Sequence, residues 1–200
     1  MTAQSPMERG ATSEAAGTAA PHPAARLVRD AGQLRDGTPV WVRPLVEQDR
    51  ALLLAGFSAL SLRSRRARFL RDVSDAQFAR MLPILLDDER AHVALVLYAA
   101  GGPIAVGRLQ RFVDDPAAAD LAVTVADHWQ GRGAGSVLAR ELTVRAGDLR
   151  EIRTVVGAGN TASLHMLARL GELRSDCANG DCEVVVQLSR SPAAARAEAA

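Results

Sequence analysis

The sequence predicts an α/β (α+β) domain built on a mixed, mostly antiparallel sheet. Three observations carry this expectation. Apolar runs of β character flank short turns at Gly101-Gly102-Pro103 and Asn179-Gly180, as in antiparallel hairpins. Strand and helix patterns alternate only in the second half, which argues against a doubly wound parallel sheet. An apolar strand, Leu121 to Val125, runs into a loop with three glycines in five positions, and a helical pattern starts at Ser136-Val137-Leu138.

Taken in order, Pro39 to Arg43 reads as a first strand. Glu47 to Leu60 has helical spacing of Leu and Phe, and a second short helix follows from about Ser61. Ser74-Asp75-Ala76-Gln77 is a capping-box pattern ahead of a helix through Leu86. His92 to Ala99 and Ile104 to Phe112 form a hairpin. Leu121 to Val125 is the central strand, followed by a helix from Ser136 to about Leu149. Then come a strand from Ile152 to Val156, a helix from Asn160 to Leu170, and two strands around Asn179-Gly180.

The 200 residues accommodate one globular domain, expected over 26–189. Residues 1–25, rich in Ala, Ser, Thr, Gly and Pro, are expected to be a disordered leader, and 190–200 a short tail. The start lacks the charged and apolar regions of a signal peptide. The apolar stretch from Val93 to Val106 is interrupted by Gly101-Gly102-Pro103, so it reads as a hairpin and not a membrane span. A soluble cytoplasmic protein is expected. With 24 basic and 23 acidic residues, the formal net charge of +1 argues against a nucleic-acid or membrane-surface protein.

The glycine loop carries the function. Glycines at the mouth of a helix let N–H groups converge where the helix dipole favours negative charge, which suits a phosphate or pyrophosphate. A Walker A loop needs a lysine, and the chain has none. A dinucleotide fingerprint would place Ser136 at its third glycine and should open a run of βαβ repeats near the start of the domain. The remaining template is Q/R-x-x-G-x-G/A, filled by Gln130, Gly133 and Gly135.

That template resembles the acetyl-coenzyme A loop of the GNAT superfamily of N-acetyltransferases. Three more landmarks follow the family's order: Val42-Arg43-Pro44-Leu45 with Gln48-Asp49, Asn160-Thr161-Ala162-Ser163, and Leu170-Gly171. The sequence is most similar to bacterial protein lysine acetyltransferases, through Asp120, the strand Leu121 to Val125 and the loop Asp127 to Gly133. The resemblance covers about residues 38–189. It implies the GNAT fold, with roughly six or seven strands splayed in the middle and about four helices. It also implies acetyl-CoA as co-substrate, with its pantetheine arm in the splay.

By the same resemblance, Val123 and Val125 pair with pantetheine through their backbones, while their side chains serve the core. The amides of Gly131, Arg132, Gly133, Ala134, Gly135 and Ser136 meet the pyrophosphate, and Gln130 belongs to the same loop. The Arg132 side chain either reaches a phosphate or sits in solvent. Asn160 hydrogen-bonds the arm and caps its helix. A protonated lysine amine, with pKa near ~10.4, must lose a proton before it can attack. Asp120 is the candidate base, where the resembled subset has a glutamate; the plain alternative is a strand-end Asp facing solvent. Many relatives protonate the leaving thiolate with a tyrosine, but the matching position here is Leu167, and the only tyrosine, Tyr98, belongs to another strand.

His128 and His165 are more readily bystanders than bases, and no His, Cys and carboxylate set has metal-ligand spacing. The run Arg63, Arg65, Arg66, Arg68 and Arg71 reads as a solvated helix face, with steering of an acidic partner or contact with coenzyme A as weaker uses. A two-residue turn at Asn179-Gly180 makes Cys177 and Cys182 a non-hydrogen-bonded pair at a Cα spacing of about 4.5 Å, which permits a disulfide. In a reducing cytoplasm they are expected as thiols.

The leading function is acetyl-CoA-dependent transfer to a primary amine, with a protein lysine favoured over a small amine and a homodimer possible. A small-molecule acceptor of aminoglycoside or polyamine type predicts an acidic pocket, which Asp87, Asp88, Glu89, Asp114 and Asp115 could supply. A non-catalytic acyl-CoA-binding module is the reading from another class. It is fed by Asp rather than Glu at 120, and by Glu172 where relatives carry an aromatic residue.

Overall fold

A computed structural model describes residues 27–86 and 93–189. The expected leader 1–25, the tail 190–200, the acidic run Asp87-Asp88-Glu89 and His92 lie outside the described residues. The strands are β1 (Arg29–Gln33), β2 (Pro39–Pro44), β3 (Val93–Ala99), β4 (Gly102–Arg111), β5 (Ala118–Val125), β6 (Glu151–Gly157), β7 (Gly171–Ala178) and β8 (Asp181–Leu188). The helices are α1 (Arg50–Ser58), α2 (Leu62–Phe69), α3 (Asp75–Leu85), α4 (Ala134–Ala146) and α5 (Thr161–Leu167).

All eight strands form one sheet in the order β1-β2-β3-β4-β5-β6-β8-β7. Every neighbouring pair is antiparallel except β5 and β6. Among the described residues this is the α+β GNAT fold, with eight strands instead of six or seven and five helices instead of about four. The strand missing from the sequence reading is β1. Its Arg-Asp-Ala-Gly-Gln has no period-2 apolar alternation, only Ala31 is buried, and a bulge interrupts its pairing with β2 between Asp30 and Gly32.

Alternation along β3 shows how the sheet divides two cores. Leu95 and Leu97 face α4, where they join Leu109, Leu121, Leu138 and Leu142. Val96, between them, faces α1 and α3 with Leu53, Phe57, Phe78 and Leu82. The Phe57 and Phe78 rings stack at 4.1 Å, so these few aromatics are concentrated in one core.

Local chemistry sets the element ends. Ser74 and Gln77 cap α3 reciprocally, as the pattern predicts. Ser61 accepts the Ser64 N–H at 3.2 Å and starts α2. Helix α4 begins two residues earlier than expected, at Ala134, and stops at Gly147 with φ +69°. Gly171 is required by close approach: a Cβ there would lie 1.9 Å from the Gln187 carbonyl oxygen on β8.

The landmark Arg43 and Asp49 form a buried, two-pronged ion pair, with both contacts at 2.7 Å. Asp49 also accepts the Val46 N–H at 3.0 Å, and Arg43 donates to the Tyr98 hydroxyl. Asp49 holds the Arg43 pKa above its ordinary value, and burial pushes Tyr98 up. Cys177 and Cys182 lie opposite one another across the β7–β8 hairpin at a Cα separation of 4.0 Å, and are joined as a disulfide rather than left as the expected thiols. No described helix is long and apolar enough to cross a membrane.

Candidate active site

The site lies where the sheet comes apart. β5 pairs with β4 from Ala119 to Val125, but with β6 only at Ala118 and Ala119. β6 keeps its partner β8 from Glu151 to Gly157. From Asp120 onward the facing edges of β5 and β6 therefore diverge and leave backbone groups unpaired in the sheet. An amide-rich chain can enter such a gap as an added strand does. Asp120 sits, half-buried, at the vertex.

Val123 and Val125 turn their side chains toward the start of α4, where they approach the position of a Gly135 Cβ to 3.9 and 3.6 Å. Both pack against the α4-side core. The Val125 carbonyl accepts the Gln130 side-chain amide at 3.1 Å. The same amide reaches Ser64 Oγ at 2.9 Å and Asp127 Oδ1 at 3.1 Å, so the Gln130 side chain braces the loop from below.

Past Gln130 the loop becomes an anion cradle. Gly131 and Gly133 have φ of +76° and +96°, left-handed conformations that suit glycine. Among the described residues, no acceptor meets the amide N–H of Gly131, Arg132, Gly133, Ala134, Gly135 or Ser136. Unpaired donors at a helix start favour negative charge. A Cβ at Gly135 would also make a tight contact, 3.3 Å from Met166 Sδ.

The Arg132 side chain is exposed but not without contacts. It lies over the Trp129 ring at 4.8 Å and contacts Asp36 at 3.4 Å. Arg35, which sequence reasoning passed over, donates its N–H to the Arg132 carbonyl at 3.0 Å and lays its side chain beside Gly133. No spacing rule brings the β1–β2 turn to this loop; only the tertiary fold does.

Asn160 accepts the Ser163 N–H at 3.1 Å and caps α5, just beyond the end of β6 on the far side of the gap. Leu167 is buried in the core, and Tyr98 is held by Arg43 on β3, so neither offers an acid at the gap. His128 and His165 are exposed. Among the described residues no group of three His, Cys, Asp or Glu could hold a metal.

Asp127, part of the glycine motif, has a structural task. Burial raises its pKa, but hydrogen bonds from Ser64 and Ser61 and the nearby His128 outweigh this and hold it below the ordinary carboxylate value. The arginine run divides rather than forming one solvated face. Arg65 pairs with Asp75 at 2.6 Å and Arg66 with Asp72 at 2.5 Å, whereas Arg68 turns into a cleft beside the sheet.

A separated strand pair beside a glycine cradle is the geometry of a coenzyme A site, and residues 55–171 match the acetyltransferase (GNAT) family. The chain belongs to the GNAT acetyltransferase family. An acetyltransferase of Pseudomonas aeruginosa is 29% identical over 143 residues, spanning 69% of this chain and 77% of that protein. The GNAT domain of S. lividans PAT has the same fold, with a TM-score of 0.69 at 23% identity over 82% of this chain and 98% of that one. A cAMP-binding acyltransferase from Mycobacterium smegmatis is 25% identical with a TM-score of 0.57, over 83% of this chain and 49% of that one. The yncA acetyltransferase of Salmonella typhimurium, solved with its cofactor acetyl-CoA, has a TM-score of 0.54 at 16% identity, over 76% of this chain and 96% of that one.

As a GNAT protein, this chain is an acetyl-CoA-dependent acetyltransferase, and its residues fit that co-substrate. The unpaired amides of 131–136 suit the pyrophosphate, and the open edge of β5 suits pantetheine.

Proposed function

We propose that this GNAT protein acetylates a primary amine by direct transfer in a ternary complex, with Asp120 as the base. The observation that supports this best is the position of Asp120 where β5 and β6 part, beside the expected path of pantetheine. Acetyl-CoA supplies the acetyl group as an activated thioester. The amides of Gly131 to Ser136 hold its pyrophosphate, the β5 edge and Asn160 orient its arm, and a strand N–H polarises the thioester carbonyl. Asp120 takes the proton that the acceptor amine must lose. Solvent returns a proton to the leaving thiolate, because Leu167 and Tyr98 are both committed elsewhere.

For the acceptor, the resemblance favoured a protein lysine. The cleft on the Asp120 face, of about 360 Å³ and walled by α1, α2 and α3, supports a small amine ahead of it.

Two measurements test the proposal. Asp120→Asn is expected to lower kcat by about 10²–10⁴-fold with acetyl-CoA affinity retained; unchanged turnover removes Asp120 as the base. Labelled acetyl-CoA added to a size-fractionated cell lysate is expected to mark small molecules. Label confined to proteins would restore the lysine reading. Because the chain has no lysine, ε-amine self-labelling cannot contaminate the protein fraction.

A further inference from the structure

The acceptor-side cleft has a chemical character of its own. Its helical wall is apolar, with Leu52 and Phe57 from α1, Phe69 from α2, and Phe78 and Leu85 from α3. Its sheet wall includes Ala122 and Thr124 of β5, which share a face with Asp120 because strand side chains alternate. The cleft therefore runs along β5 toward the candidate base. Its only charged lining residues among those described are two arginines, Arg68 and Arg108.

The two are held differently. Arg108 donates to Gln110 Oε1 at 3.0 Å and to the Ile84 carbonyl at 3.4 Å. Arg68 is half-buried and lies 4.9 Å from the Phe69 ring centroid. Among the described residues it makes no hydrogen bond or ion pair. Burial lowers its pKa, Asp120 opposes that shift and Arg108 adds to it. A guanidinium presents a planar fork of donors that matches a carboxylate, and burying it without an acceptor is costly.

We infer that the acceptor is a small primary amine bearing a carboxylate and an apolar body, as in an α-amino acid with a hydrophobic side chain. This rests on the acetyl-transfer reading and specifies its acceptor. The amine lies at Asp120, the carboxylate on Arg68, and the side chain against Phe57 and Phe69. A polyamine or aminoglycoside would instead bring cations against two guanidiniums, which disfavours it. In the transfer, the neutral amine nitrogen bonds to the acetyl carbon as the carbon–sulfur bond breaks. Asp120 has by then taken one proton from the ammonium form, and the second, lost from nitrogen as the amide bond forms, reaches the thiolate through water, yielding an N-acetyl amino acid and coenzyme A thiol.

The test is a thiol-release assay on the full chain at saturating acetyl-CoA. Its acceptors are L-leucine and L-phenylalanine, their carboxamides, a terminally blocked lysine peptide, and spermidine. The acids are expected to exceed their amides at least about tenfold in kcat/KM, with the lysine peptide and spermidine lower still. Arg68→Gln is expected to cut kcat/KM for the acids by about tenfold or more and bring the acid-to-amide ratio toward one. Arg68→Lys should recover part of the preference. Amides, peptide or spermidine used as well as the acids would overturn the inference while leaving acetyl transfer standing. An acid preference that survives in a folded Arg68→Gln variant would also overturn it. No transfer to any amine, despite acetyl-CoA binding by calorimetry, would overturn the acetyl-transfer reading itself. The wild-type panel decides the acceptor charge even where a variant fails to fold.

Discussion

The Asp127 carboxylate accepts the Ser61 backbone N–H at 2.8 Å and the Ser64 hydroxyl at 2.5 Å, joining the cofactor loop to the first turn of α2. Gln130 reinforces the joint through Ser64 Oγ. The helix that carries Arg68 into the cleft beside β5 is thus anchored on the glycine loop proposed to receive the pyrophosphate.

This joint should titrate. The folded-state pKa of Asp127 is depressed, so its contribution is present above the unfolded value near ~3.9 and is lost as pH falls through the lower folded value. The protection of α2 amides against hydrogen exchange, corrected for its intrinsic pH dependence, is expected to fall as pH drops below the ordinary carboxylate range in the wild type. In Asp127→Ala it should already be lowered at neutral pH, with KM increased for both substrates. Unaltered α2 exchange in the variant would show that the joint does not hold the helix.

Gly133 adopts φ +96° with the Arg35 side chain beside it. An alanine there pays about 1–2 kcal/mol for the left-handed conformation and also displaces Arg35. Gly133→Ala is expected to weaken acetyl-CoA binding about tenfold or more by calorimetry, with the melting temperature lowered by roughly 2–8 °C. Wild-type affinity in the variant would remove the cradle as the pyrophosphate site.

The Arg43–Asp49 pair predicts a stability effect without catalytic meaning. Both side chains are almost inaccessible, at 6% and 2% exposure. Asp49→Asn strands a buried guanidinium and is expected to cost about 3–5 kcal/mol, or roughly 6–20 °C in Tm. Replacing both residues by apolar ones of similar volume should cost less than either single change. An additive double variant would show that the pair is not coupled.

The helices were legible to within a few residues, because their signals are local: the caps at Ser61, Ser74 and Asn160, and the apolar face of Leu138, Ala139 and Leu142. The β7–β8 register followed from the turn at Asn179-Gly180. β1 was not legible, since it is an edge strand with one buried residue and is defined by pairing rather than pattern. The arginine run misled for a related reason. Composition cannot say which of five neighbouring cations turns inward, and Arg68 does so because α2 packs alongside β5.

By itself the sequence determined the glycine loop, the strand before it, the helix after it and hence the acyl-carrier chemistry. Backbone conformation and capping are set by residues within a few positions of one another. Only the tertiary structure decided that β5 and β6 part at Asp120, that Arg35 reaches the loop, and that Arg68 turns into an apolar cleft beside β5. These relationships join residues far apart in the chain, and long-range packing, which leaves no local periodicity, sets them.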